Sequence, residues 1–176
     1  MFAIGQAVVY PAHGAGRIVG LDERSVLGER RSYYVLELLG QAHTVMVPVE
    51  AAQTCLRPPL EGAALERLLD ALKAEVKLPA VWMQRHREEE KILASGDPYQ
   101  VAALVGTLFR YGRGKALSLS ERGVSERALA MLASELALTW EVSLDEAKAR
   151  VLARLEAYFH RARRGEDPEA VLASAP

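Results

Sequence analysis

Through residue 58 the apolar side chains come in short runs that alternate with polar ones: QAVVY (6–10), GRIVGL (16–21), SYYVLEL (32–38) and AHTVMVPV (42–49). Such runs, rich in Val, Ile and Tyr and bounded by Gly and Pro, predict four or five strands. The intervening PAHGAG puts Gly14 and Gly16 where a tight turn needs positive φ, and Gly28 within VLGER marks a hairpin turn. Strands this short, packed into so few residues, suggest a small barrel of the SH3 or Tudor type that closes on itself and hides its edges.

After Pro58 and Pro59 the period changes to that of a helix. Leu65, Leu68, Leu69 and Leu72 form one stripe in EGAALERLLDALKAE (61–75). A second helix is expected from Pro79, a residue suited to a first turn, to Ser95 and Gly96. Asp97, with Pro98 behind it, caps a third that carries Val101, Leu104, Val105 and Leu108 on one side. Ser120 or Ser125 opens a fourth through Leu129, Leu132, Leu136 and Trp140, the last read as core. Ser143 and Glu146 make a capping box for a fifth, with Ala147, Val151, Leu155 and Tyr158 as its stripe. The expected class is α+β: a β-barrel domain over residues 1–58, a five-helix domain over 59–160 and a polar tail over 161–176 that frays.

Composition narrows the chemistry. The 176 residues are 50% hydrophobic and 26% charged, enough to bury a true core. With a formal net charge of −1 no global field draws the molecule to nucleic acid or anionic lipid, so any such contact is local. The one cysteine, Cys55, has no basic neighbour in sequence and reads as packing; its isolation excludes an internal disulfide and fits a reducing cytosol. The opening MFAIGQAVVYPAHG lacks the basic start of a signal peptide, and no window approaches 18 uninterrupted apolar residues, so a cytoplasmic location with no membrane contact is expected. His13, His43, His86 and His160 stand at no metal-ligand spacing, which speaks against a zinc site. No phosphate-binding loop, dinucleotide fingerprint or nucleophile elbow is present, HGAG reads as a β turn, and neither enzymatic activity nor a cofactor is expected. Glu88, Glu89 and Glu90 diverge around the helix and read as solvated surface.

The second helix is unusual. From Gln84 to Lys91 every residue is polar or charged, so this section is expected to stay outside the core, held by Val81, Ile92 and Leu93 at its ends. Trp82, Arg85, His86 and Glu89 share a face by spacing. Two readings stay open. In one, Trp82 presses against a nucleic-acid base while Arg85 and Arg87, with the free N–H groups of the helix start, hold phosphates. In the other, Trp82 folds back as a hydrophobic staple and the arginines pair with nearby glutamates.

A resemblance covers residues 2–158. The segments GQAVVYPAHG (5–14), RSVLG (24–28), YVL (34–36), VMVP (45–48), WMQRHR (82–87) and ILASGD (92–97) resemble, in order and spacing, the CarD family (CarD/CdnL type) of bacterial RNA polymerase-binding transcription regulators. The barrel segments alone are also similar to the polymerase-binding module of transcription-repair coupling factors, but this chain has no helicase motif. The resemblance implies a barrel that docks on the polymerase β subunit through Arg24, Val26, Met46 and Pro48. It also implies a helical domain at the upstream edge of the promoter bubble, with Trp82 as a wedge in the minor groove and Arg85, His86 and Arg87 as the DNA-contacting neighbours. The protein would then be a monomer that stabilises the open complex with little sequence specificity. Met46 and Gln84 stand where several members carry a basic residue, and Glu88 to Glu90 repel phosphate within a Debye length of about 8 Å, which points to reduced affinity for both partners. A divergent relative or protein–protein adaptor without direct DNA contact is the alternative.

Overall fold

The computed structural model describes residues 1–26 and 28–161; the side chains of Val26, His160 and Arg161 and the tail over 162–176, most of the stretch expected to fray, lie outside the described residues. Four strands, β1 (Ala7–Tyr10), β2 (Gly14–Val26), β3 (Glu29–Leu38) and β4 (Thr44–Pro48), form one antiparallel meander in the order β1-β2-β3-β4. Strand alternation sets the two faces. Along β3, Tyr34, Leu36 and Leu38 point inward and are buried, and they meet Val8, Ile18 and Val47 in a small core. Ala52 and Leu56 close that core from below. They belong to α1 (Val49–Cys55) and its C-cap, a two-turn helix too short to show a period in the sequence. Cys55 packs at the same core's edge.

The curled sheet is a half-barrel rather than a closed one, since β1 and β4 do not pair. The outer edge of β1 is covered by the segment after α1 instead: Val9 donates to the Arg57 carbonyl at 2.8 Å and Arg57 donates back to Val9 at 3.1 Å. Of the two turn glycines, Gly14 takes the expected positive φ of 116°. Gly16 has a different reason: it lies inside β2, where a Cβ would come within 1.9 Å of the Glu37 carbonyl oxygen.

Five longer helices follow α1, making six among the described residues: α2 (Gly62–Ala71), α3 (Trp82–Ser95), α4 (Pro98–Gly114), α5 (Leu119–Trp140) and α6 (Leu144–Arg161). The predicted stripes form the second core, in which Leu68, Leu69, Leu72, Val101, Leu104, Val105, Leu108, Leu132, Leu136, Val151, Leu155 and Tyr158 are buried. Asp97 caps α4 as expected, accepting from Tyr99 N–H at 2.9 Å and Gln100 N–H at 3.3 Å. The Ser143 hydroxyl likewise accepts from Glu146 N–H at 3.1 Å. Two boundaries differ from expectation. Pro79 lies ahead of α3, whose first residue is Trp82, and α5 opens at Ser118, whose capping box with Glu121 takes precedence over Ser120 and Ser125.

The sheet and the helices meet on α5, which is buried all round from Leu132 to Ala137. One side faces the helices; the other receives the sheet. There Ala15 N–H donates to the Ser134 hydroxyl at 2.9 Å, with both residues buried. Arg57 forms a two-pronged pair with the buried Glu135, at 2.5 and 2.8 Å, and Leu60 N–H adds a third bond to the same carboxylate at 2.9 Å. The turn after α3 presses against the same region, where Gly96, at φ 65°, leaves only 2.4 Å between a built Cβ and Pro11. Arg57→Ala strands the Glu135 carboxylate, and the expected cost is about 3 kcal/mol, read as a lower urea midpoint at unchanged m value.

Candidate nucleic-acid interface

The helix α3 begins bare. Its N-cap, Val81, makes no side-chain bond to the first turn, and that turn carries no acid, so neither cap nor first turn neutralises the positive end of the helix dipole. Trp82 is the first helical residue and is 49% exposed, flanked by exposed Val81 and Met83. Val81 therefore does not anchor the helix as expected; the grip comes from Ile92 and Leu93, both buried. The indole is half-exposed and not sealed in the core. It lies parallel to the His86 imidazole, with ring centroids 5.9 Å apart and 4° between planes. His86 Nδ1 in turn faces the Ser120 hydroxyl at 3.2 Å, which fixes the ring on which the indole rests.

The two arginines part company. Arg87 is exposed and makes no ion pair among the described residues. Arg85 turns inward: its side chain is 17% exposed, Nε donates to Glu121 Oε1 at 3.0 Å, and Nη1 donates to the carbonyls of Ala80 at 3.1 Å and Pro79 at 3.4 Å. That ties the chain entering α3 to the start of α5. The Ser118 backbone N–H, and after it the Ser118 hydroxyl and Arg85, hold the Glu121 carboxyl below the usual carboxylate range.

The glutamate run corrects the expectation of a solvated surface. Glu88 is partly exposed, Glu90 pairs with Arg127 across to α5, but Glu89 is fully buried and neither of its oxygens has a hydrogen-bond partner. His86 Nδ1 stands 3.8 Å from Glu89 Oε2, beyond hydrogen-bond length. Burial, then the nearby Glu121, pushes the Glu89 carboxyl above its ordinary range, against the pull of Arg85 and His86. Helical spacing shows that position 89 shares a side with 82 and 85; only the packing of α3 on α4 and α5 shows that 85 and 89 turn inward while 82 stays exposed.

Of the residues expected at the polymerase, Arg24, Met46 and Pro48 share the outer face of the sheet. Register pairs Arg24 with Arg31, Tyr33 with Pro48 and Val35 with Met46, and alternation puts all six opposite Tyr34 and Leu36. Arg24 is exposed near the end of the β2–β3 hairpin, held to Asp22 at 3.1 Å; Met46 and Pro48 are half-buried on β4. Val26 pairs with Glu29 in the backbone register. Among the described residues no group of three His, Cys, Asp or Glu is placed to hold a metal, and no helix is long and apolar enough to cross a membrane.

Two stability effects follow. An acid whose folded pKa is raised stabilises the fold below the ordinary carboxylate range and loses that contribution as pH rises through the raised value. Glu89→Gln, which cannot ionise, is therefore expected to gain on the wild type by about 1–3 kcal/mol at neutral pH, with the gain shrinking on acidification; melting curves across pH measure it. Arg85→Ala is expected to lower stability by about 1–3 kcal/mol at neutral pH because it leaves Glu121 without its charged partner.

Comparison with known proteins gives the family. Residues 2–60 match the model of the CarD-like/TRCF RID domain, and residues 67–152 match that of the CarD C-terminal domain. The chain is also similar to a putative transcription factor, YdeB, of Bacillus subtilis (strain 168), with 33% identity over 140 residues that cover 77% of this chain and 90% of that protein. With both domain models matched in order along most of its length, the chain belongs to the CarD family of transcription regulators.

Proposed function

We propose that this protein fastens to the β subunit of RNA polymerase through the outer face of its sheet, around Arg24, Val26, Met46 and Pro48. There it lays Trp82 into the minor groove at the upstream edge of the promoter bubble and slows bubble collapse. The observation that carries the reading is the half-exposed indole on the uncapped first turn of α3, with Arg87, which makes no ion pair among the described residues, on the same helix. A flat apolar ring at a base step, beside free N–H groups and a cation, suits a partly unstacked edge. His86 supports the ring from behind, and Arg85 positions the turn through Glu121. Because such a wedge exploits unstacking and makes no base-edge hydrogen bonds, sequence preference is weak.

Energetics favour a division of labour. DNA contact through one or two cations is weak, with dissociation constants on the order of 10⁻⁴ to 10⁻⁶ M. Attachment to polymerase raises the effective DNA concentration to roughly millimolar, so that the weak contact suffices. A near-neutral cytoplasmic protein can then act at promoters without collecting on bulk DNA.

The lifetime of competitor-challenged promoter complexes on the cognate polymerase tests this. Trp82→Ala is expected to remove most of the lengthening that the wild type confers, with unchanged circular dichroism and retained polymerase binding. Arg24→Glu is expected to lose the lengthening by losing the polymerase, and to recover part of it at higher protein concentration. A wild-type lifetime with Trp82→Ala would end the wedge reading.

A further inference from the structure

A cleft of about 470 Å³ borders the first turn of α3, between the chain that enters it, the end of α4 and the start of α5. Its lining includes Ala80, Arg85, Arg110, Tyr111, Lys115 and Glu121. The volume falls within the range of small-ligand sites, about 300–1,000 Å³. The end of α4 reads RYGRGK (110–115), cations and glycines around one aromatic ring. Tyr111 is 38% exposed although it is a large hydrophobic side chain. The space beside Gly114 is open, since a Cβ there would meet nothing within 4 Å.

The charges in the cleft do not cancel. Glu121 is matched by Arg85 at 3.0 Å. Arg110 has no carboxylate partner among the described residues; it donates to the Ala74 carbonyl at 2.9 Å and lies over the Phe159 ring at 4.8 Å. Lys115 makes no ion pair among the described residues either. Two positive charges and an exposed phenol ring thus gather in one hollow of a molecule whose formal net charge is −1. Unpaired nucleic-acid strands are held by such a combination: a ring on which a base stacks, and cations for the phosphates that flank it. A duplex cannot use it, because its bases are already stacked.

We propose that this cleft receives one unpaired nucleotide of the strand leaving the upstream edge of the promoter bubble, its base on Tyr111 and its phosphates held by Arg110 and Lys115. The inference rests on the placement of Trp82 at that edge, which brings the separated strand past the neighbouring cleft. Every base has a face to stack, so the site discriminates unpaired from paired DNA and not one sequence from another.

Promoter complexes carrying the full-length protein test the pocket. A single abasic residue is walked through the unpaired positions at the upstream edge, and complex lifetime is measured with wild type, Tyr111→Phe, Tyr111→Ala and Lys115→Glu. At one position the abasic strand is expected to cost the wild type about tenfold in lifetime, the size of one lost stacking contact. Tyr111→Ala should lose the same factor on the intact strand and nothing further on the abasic one, because ring and base act as a pair. Tyr111→Phe should keep the wild-type lifetime, and Lys115→Glu should shorten it at every position. Losses from Tyr111→Ala and the abasic residue that simply multiply at all positions would overturn the pocket, as would no loss from Tyr111→Ala. Trp82→Ala separates the two ideas. If it leaves the lifetime intact while the Tyr111–abasic coupling is present, the wedge fails and the pocket stands; if it abolishes the lengthening while the coupling is absent, the pocket alone fails.

Discussion

The seating of the sheet on the helices depends on one buried ion pair. Glu135 sits on the face of α5 turned to the sheet, and burying it is tolerable only because Arg57 meets it with two parallel bonds and Leu60 N–H with a third. The same Arg57 uses its backbone to complete the edge of β1. One residue therefore covers the edge of β1 with its backbone and docks the sheet on α5 with its side chain. The contact of Gly96 with Pro11 and the bond from Ala15 to Ser134 fix the remaining freedom of the sheet against α5. In consequence the outer face of the sheet and the first turn of α3 are carried on one scaffold.

The polar helix α3 poses a different problem. It has too few apolar residues to be held by a core stripe along its whole length, and it is fastened instead by charges turned inward. Arg85 spends its guanidinium on Glu121 and on the carbonyls that precede the helix. Glu89 is buried with nothing to bond, an arrangement that costs stability and leaves its carboxyl harder to ionise. These inward residues define the outward ones. With positions 85 and 89 turned in, the start of α3 leaves Trp82, Met83 and Arg87 toward solvent and His86 at the boundary, where it backs the indole.

Much of the architecture was legible in the linear pattern. The alternation in SYYVLEL and the 3.6-residue stripes of Val101 to Leu108 and Ala147 to Tyr158 depend on local geometry, so periodicity alone places their inner faces. Asp97 and Ser143 cap through bonds to residues two or three places on, and they too were readable. The short α1 was not, because two turns hold too few apolar positions to establish a period. The true start of α5 at Ser118 was hidden by two other serines, each a plausible cap until the reciprocal bond with Glu121 is seen.

The sequence by itself determined the class of fold, the order of its elements, the identity of the core stripes and the family to which the motifs point, because each of these rests on interactions within a few residues or on spacing along one chain. Only the tertiary structure decided which polar residues face inward. Helical spacing groups Trp82, Arg85, His86 and Glu89 without saying which of them meets another helix, and it is the approach of α5, through Ser120 and Glu121, that commits Arg85 and buries Glu89. Pairings such as Arg57 with Glu135, or the hollow between Ala80, Tyr111 and Lys115, join segments far apart in the chain, and no local pattern records such a meeting.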